Sequence, residues 1–281
     1  MTRLIDAQER WARPLGARGQ RWLRPLFDRW RGAKDVLNGT WLGHPLHPSL
    51  VAVPIGTLTL MLVLDVIGQD VAADVALGLA LLALVATAIS GSADAVDLQG
   101  RPRTAATVHA ATMVLATLLL LLSFLLRLIA GDDRGLAVVL GFAGYAVLVF
   151  GGYVGGELTY TLGAGVNRHA WRERLANDWQ AIGAVEIADG KPVRVEVRGQ
   201  TMVLVRDGEA VHALLETCAH AGGPLSKGRV VDGCIECPWH QSRFDLRDGR
   251  VRKGPSVYDQ PTFGLRRVES GEWEIRESST T

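Results

Sequence analysis

The pattern of apolar and polar positions changes character twice along the chain. In residues 1–40, Trp22, Leu23, Leu26, Phe27 and Trp30 recur at helical spacing, with Arg21, Arg24, Arg29 and Arg31 between them. This predicts an amphipathic basic N-terminal segment that lies on an anionic membrane surface or packs as an arm against the rest of the chain. Pro14 and Pro25 break the pattern and predict short helical pieces. Four apolar stretches follow, at about 50–67, 72–90, 106–129 and 136–154. At 1.5 Å per residue, each is close to the length that a ~30 Å hydrocarbon core requires. A four-helix transmembrane domain is therefore expected over 41–167, with small residues such as Gly78, Ala83, Gly141, Gly144, Gly151 and Gly152 letting backbones approach. From Arg168 the period shortens. A polar connector at 168–178, expected as helix, leads into alternating runs at 193–197, 202–206, 210–215, 230–235, 242–246, 263–268 and 273–275. Asp207-Gly208, Asp232-Gly233 and Asp248-Gly249 supply hairpin turns, so a small antiparallel all-β domain is expected over 179–276. The fold class is thus multi-domain α + β.

Charge adds an orientation. The net charge is +1, which favours no nucleic-acid partner, but the first 34 residues hold nine Lys/Arg against three acids. Arg101 and Arg103 lie between the second and third apolar stretches, and Arg168, Arg172 and Arg174 follow the fourth. The other two connections are acidic, with Asp70 and Asp74, then Asp132 and Asp133 beside a single Arg134. With basic segments inside, both termini and the C-terminal domain are expected in the cytoplasm, the protein crossing a bacterial inner membrane several times. The first 40 residues show no apolar core with a cleavage site, so no secretory signal is expected.

The chemistry is concentrated in two loops. Cys218-Ala219-His220-Ala221-Gly222-Gly223-Pro224-Leu225 is the first, and Cys237-Pro238-Trp239-His240, followed by Phe244, is the second. Each offers one thiolate and one imidazole, the set required when two Cys hold one iron of a [2Fe–2S] cluster and two His the other. The glycines and prolines permit tight turns that aim backbone N–H groups at the cluster's sulfides. Tetrahedral zinc also accepts two Cys and two His, although common zinc modules pair like with like rather than mixing both types in each loop. The remaining cysteine, Cys234, reads as a buried strand thiol.

At these residues the sequence resembles the Rieske iron–sulfur family in its ferredoxin-like branch, over about 179–275, including Trp179, Gly199, both Cys/His loops, Phe244 and Gly249. The resemblance implies ligation of a [2Fe–2S] cluster by Cys218, His220, Cys237 and His240 in a fold of small antiparallel sheets. Gln241 stands where the family often has Gly, which implies an altered tip of the second loop. Gly223 and Trp239 stand near the positions where high-potential members carry a bridging disulfide. A potential toward the lower end of the roughly −150 to +300 mV Rieske span is implied. The run Gly43-His44-Pro45-Leu46-His47-Pro48, with His109 and Gly156-Glu157-Leu158, resembles a family of uncharacterised four-helix bacterial membrane domains over about 40–167.

A histidine in an apolar span is a candidate site by default. His44 or His47 and His109 fall near the cytoplasmic ends of the first and third spans, where they could bind haem b, build a quinone pocket, or tie helix ends together through Asp97 or Glu157. Asp65 is expected to reach the membrane interface, and no role is expected for His169 or His212. The function expected is one-electron transfer by a membrane-anchored carrier, an electron-transfer component rather than a stand-alone catalyst, with electron donor and acceptor proteins and the lipid bilayer as partners. A haem- or quinone-linked oxidoreductase subunit and a membrane-bound redox sensor remain as alternatives. No room is expected for the mononuclear iron domain of a complete ring-hydroxylating oxygenase.

Overall fold

The computed structural model describes the backbone of residues 2–129, 131 and 133–278, so Asp132 of the third connection lies outside the described residues. Two compact units result, Met1–Leu37 with Pro45–Ala164, and Asn38–His44 with Gly165–Thr281.

The first unit is helical: α1 Thr2–Ala7, α2 Glu9–Arg29, α3 Arg31–Asn38, α4 Leu46–Val66, α5 Asp70–Ala95, α6 Gly100–Ile129 and α7 Gly135–Gly156, closed by a π turn at Glu157–Thr161. Helices α4 to α7 are long and apolar enough to cross a membrane. They form two antiparallel hairpins, α4 with α5 and α6 with α7, around Leu58, Met61, Leu77, Leu84, Leu120 and Leu148. Leu79, Leu82, Leu118, Leu122 and Leu125 face outward. An apolar exterior as well as an apolar core is what a helix surrounded by lipid requires.

Helix α2 runs unbroken through Pro14 and Pro25, unlike the short pieces expected. Contacts between the two prolines outweigh the backbone bonds they remove. Gly16 lies against Thr107 of α6, and the Gln20 amide donates to the carbonyls of Ala95 and Leu98 at 2.8 and 2.7 Å. Arg24 donates to Val96 O at 2.6 Å, and buried Lys34 pairs with Asp97 at 2.6 Å. The segment thus satisfies carbonyls orphaned at the end of α5. Its tryptophans stay out, with Trp22 83 % exposed and Trp30 61 %, while Phe27 is buried against Ala93 and Val96. The expected packing against the rest of the chain is thus present, and the tryptophans are left exposed.

At the opposite end of the helices, Arg127 of α6 pairs with Asp65 of α4 at 2.6 Å, both side chains fully buried. Arg127 also reaches Asp74 of α5 at 3.2 Å, and Asp74 pairs with Arg134. Asp65 does not reach the interface, because a guanidinium inside the bundle offers two hydrogen bonds that hold it there. The hairpins repeat one plan. In each first helix 18 residues separate a histidine from a charged residue, His47 to Asp65 and His109 to Arg127. Like positions meet: His47 faces His109, and Asp65 meets Arg127.

The second unit is β-rich. Strands β1 Gln180–Gly183, β2 Val193–Val197, β3 Gln200–Asp207, β4 Ala210–Leu215, β5 Arg229–Val231, β6 Cys234–Glu236, β7 Arg243–Asp245, β8 Val251–Lys253, β9 Thr262–Arg267 and β10 Trp273–Glu277 form two antiparallel sheets. Their orders are β1-β10-β9-β4-β3-β2 and β5-β6-β7-β8. Alternation along β3 divides the core: Met202 and Leu204 join Val195, Phe263 and Ile275, while Val203 and Val205 join Leu225, Ile235, Phe244 and Leu246. The 168–178 connector forms turns rather than helix. Arg172 there pairs with Glu277, whose carboxylate also accepts the Leu175 N–H at 2.9 Å.

Candidate metal centre

Two loops project from the second core. The first leaves β4 and returns through a 3-10 turn at Leu225–Lys227; the second joins β6 to β7. Each folds on its own cysteine. Gly222 N–H donates to Cys218 O at 2.9 Å, and Gln241 N–H to Cys237 O at 3.0 Å. Cys218 N–H donates to Gly223 O and Cys237 N–H to Ser242 O, both at 2.9 Å. Within the turns, the N–H groups of His220 and Ala221 face the Cys218 sulfur, and those of Trp239 and His240 face the Cys237 sulfur. Backbone donors converging on sulfur favour thiolates.

All four expected ligands come together. Both thiols are buried, at 1 % and 2 % exposure, and adjacent enough to share a hydrogen bond. That bond, followed by burial, raises Cys218; the same bond lowers Cys237 to about 7. The His220 and His240 rings lie against each other, centroids 5.0 Å apart and planes at 88°, with His220 half-buried and His240 buried. A pair of thiols and a pair of imidazoles is the donor set a two-iron cluster with unlike ligands needs, and these residues supply it.

The surroundings explain the glycines of the motif. A Cβ on Gly223 would stand 2.8 Å from Cys237 Sγ and 3.1 Å from Trp239 Cγ, so the loops approach too closely there for a side chain. This also sets Gly223 against the Trp239 ring. Gln241 takes a left-handed backbone, φ 64°, which accounts for the preference for Gly at that place. Trp179 is sandwiched between the guanidiniums of Arg266 and Arg276, 4.3 and 4.5 Å from its ring centroid. Cys234 is buried on β6, and burial raises its thiol.

Gln260 escaped the sequence reading. Its buried amide accepts the Ala219 N–H at 2.9 Å and donates to Leu215 O and Thr217 O at 2.6 and 2.7 Å, fixing the base of the first loop. His169, for which no role was expected, is instead part of the loop's base. It lies beside Thr217 and Gln260, and burial lowers it to about 4, against the opposing pull of the Gln260 side chain. Neither belongs to a local motif; both reach the loop from distant sequence. Of the membrane histidines, the structure pairs His47 with His109, whereas His44 groups with the second unit.

A fold of two small antiparallel sheets with paired Cys/His loops defines a Rieske-type iron–sulfur protein, and the chain belongs to the Rieske [2Fe-2S] domain family, whose model matches residues 178–264. A second model, "Predicted membrane protein (DUF2231)", matches residues 43–168. The anthranilate 1,2-dioxygenase ferredoxin subunit of Burkholderia cepacia is 34 % identical over 37 % of this chain and 95 % of its own length. The oxygenase component of 3-ketosteroid-9-alpha-monooxygenase from Mycolicibacterium smegmatis is 33 % identical over 40 % of this chain, which spans only 29 % of that protein. Among solved structures, the ferredoxin of carbazole 1,9a-dioxygenase from Nocardioides aromaticivorans is 28 % identical, with TM-score 0.33, covering 35 % of this chain and 99 % of its own. The Rieske domain implies a [2Fe–2S] cluster and one-electron transfer.

Proposed function

We propose that the protein is a membrane-anchored one-electron carrier whose cluster is held by Cys218 and Cys237 on one iron and by His220 and His240 on the other. The observation that carries this is the pairing of two buried thiols and of two imidazoles on the same two loops, with backbone N–H groups turned onto both sulfurs. Bound there, a [2Fe–2S] cluster supplies a reversible one-electron couple. The protein's part is to shield the sulfur side from water and to present the imidazole side to a partner. Trp239, 52 % exposed beside His240, and exposed Pro238 give that side an apolar rim on which a donor or acceptor protein docks.

Four helices with apolar exteriors support the anchor. The basic first 34 residues, Arg101 and Arg103, and the arginines after α7 support a bacterial inner membrane with both termini and the Rieske domain in the cytoplasm. The domain divisions that serve this reading are 1–40, 41–167, 168–178 and 179–276.

EPR and metal analysis of the dithionite-reduced full-length protein in detergent test the cluster. A reduced [2Fe–2S] signal with the low average g of mixed ligation is expected, and Cys237→Ser should abolish it with loss of bound iron. Stoichiometric zinc without that signal, in protein prepared anaerobically, would refute the reading. For orientation, protease should remove the C-terminal domain from inside-out vesicles and spare it in right-side-out vesicles.

A further inference from the structure

The Rieske site leaves one pair of titratable side chains in the bundle without a task. His47 of α4 and His109 of α6 face each other with ring centroids 6.2 Å apart and planes at 81°. Each is anchored within its own hairpin in the same way. His47 Nδ1 bonds to Thr87 O of α5 at 2.9 Å, and His109 Nδ1 to Gly151 O of α7 at 2.8 Å. A carbonyl only accepts, so each Nδ1 carries the proton and each Nε2 keeps its lone pair, the tautomer a metal-ligating histidine needs. One turn beyond each carbonyl stands a glycine that makes room for the ring. A Cβ on Gly91 would lie 2.8 Å from His47 Cε1, and one on Gly155 3.2 Å from His109 Cε1.

We propose that His47 and His109 are the axial ligands of one haem of the b type. Two imidazoles are too few for a bare ion, and among the described residues no further His, Cys, Asp or Glu joins this pair to hold one. A porphyrin brings four nitrogens of its own and asks the protein for two. The separation agrees. With metal–nitrogen bonds of about 2 Å, rings on opposite sides of one iron have centroids on the order of 6 Å apart, and rings at right angles about 4.5 Å. The membrane pair, at 6.2 Å, matches the opposed case; the cluster pair, at 5.0 Å, is nearer the right-angled one. Facing helices of a bundle are a common place for such a cofactor. The inference does not rest on the cluster, and either can fail alone.

The test uses full-length protein expressed with a haem precursor, purified in detergent, and then titrated with hemin. One haem per chain is expected by pyridine haemochromogen assay. Its oxidised EPR should show the strongly anisotropic low-spin signal that near-perpendicular imidazole planes produce. His47→Ala and His109→Ala should each lose the haem or turn it high-spin, while the reduced cluster signal and the detergent elution profile stay unchanged. His109→Met should retain haem and raise its potential, a result that a merely structural histidine would not give. Failure to take up haem by monodisperse protein that carries its cluster would overturn the proposal. So would a low-spin haem unaffected by both alanine variants, or quinone or copper recovered at this pair in place of haem.

Discussion

Gln241 holds its left-handed backbone in the turn that follows His240, where a Cβ presses on the neighbouring carbonyl and only glycine escapes that strain. Gln241→Gly should therefore stabilise the folded domain by about 1 kcal/mol, read as a higher midpoint in chemical denaturation, with the cluster's spectrum retained. His169 offers a pH signature. Its folded value, about 4, lies below the ordinary 6.5, so it contributes stability above pH 6.5 that is lost as pH falls toward 4. His169→Gln should flatten that part of the stability–pH curve, by on the order of 2 kcal/mol after allowance for partial exposure. The two Cys/His loops were legible in the sequence because the motif is local and each loop folds on itself. Gln260 and His169 were not, since neither their residue type nor their spacing says that a buried amide or imidazole will meet a loop some forty or fifty residues away.

Among the elements, the ion pair between α4 and α6 has the largest energetic stake. Arg127→Leu leaves Asp65 buried without its partner and should cost roughly 3–5 kcal/mol in the bundle's resistance to denaturing detergent. Replacing both residues by Leu should recover much of that loss, and the difference between single and double variants measures the coupling. The spans themselves could be read from length and apolarity, but the pair could not, because a lone Asp near a helix end reads equally well as an interfacial anchor. Helix α2 shows the converse. Its prolines argued for a break, yet Gln20 and Arg24 bind the carbonyls after α5 and hold the stretch helical. Of the strands, β1 and β8 had no expected counterpart, and the run expected at 230–235 divides at the Asp232-Gly233 turn into β5 and β6.

At the scale of the molecule, the helical unit buries Phe27 and Lys34 of its N-terminal segment and leaves Trp22 and Trp30 outside. In single-tryptophan variants, Trp22 and Trp30 should be quenched more by lipids labelled near the headgroup than by lipids labelled deep in the chains; the reverse order would place α2 elsewhere. The paired hairpins have another consequence. Two identical copies of one hairpin, meeting about a dyad, must set like residues beside like: histidine against histidine, but also aspartate against aspartate or arginine against arginine. Identical imidazoles suit a shared axis; identical buried charges repel. Only a chain that carries both copies, joined, lets one position become acidic and its counterpart basic. The tandem arrangement thus frees the far end of the bundle from a symmetry that its near end keeps.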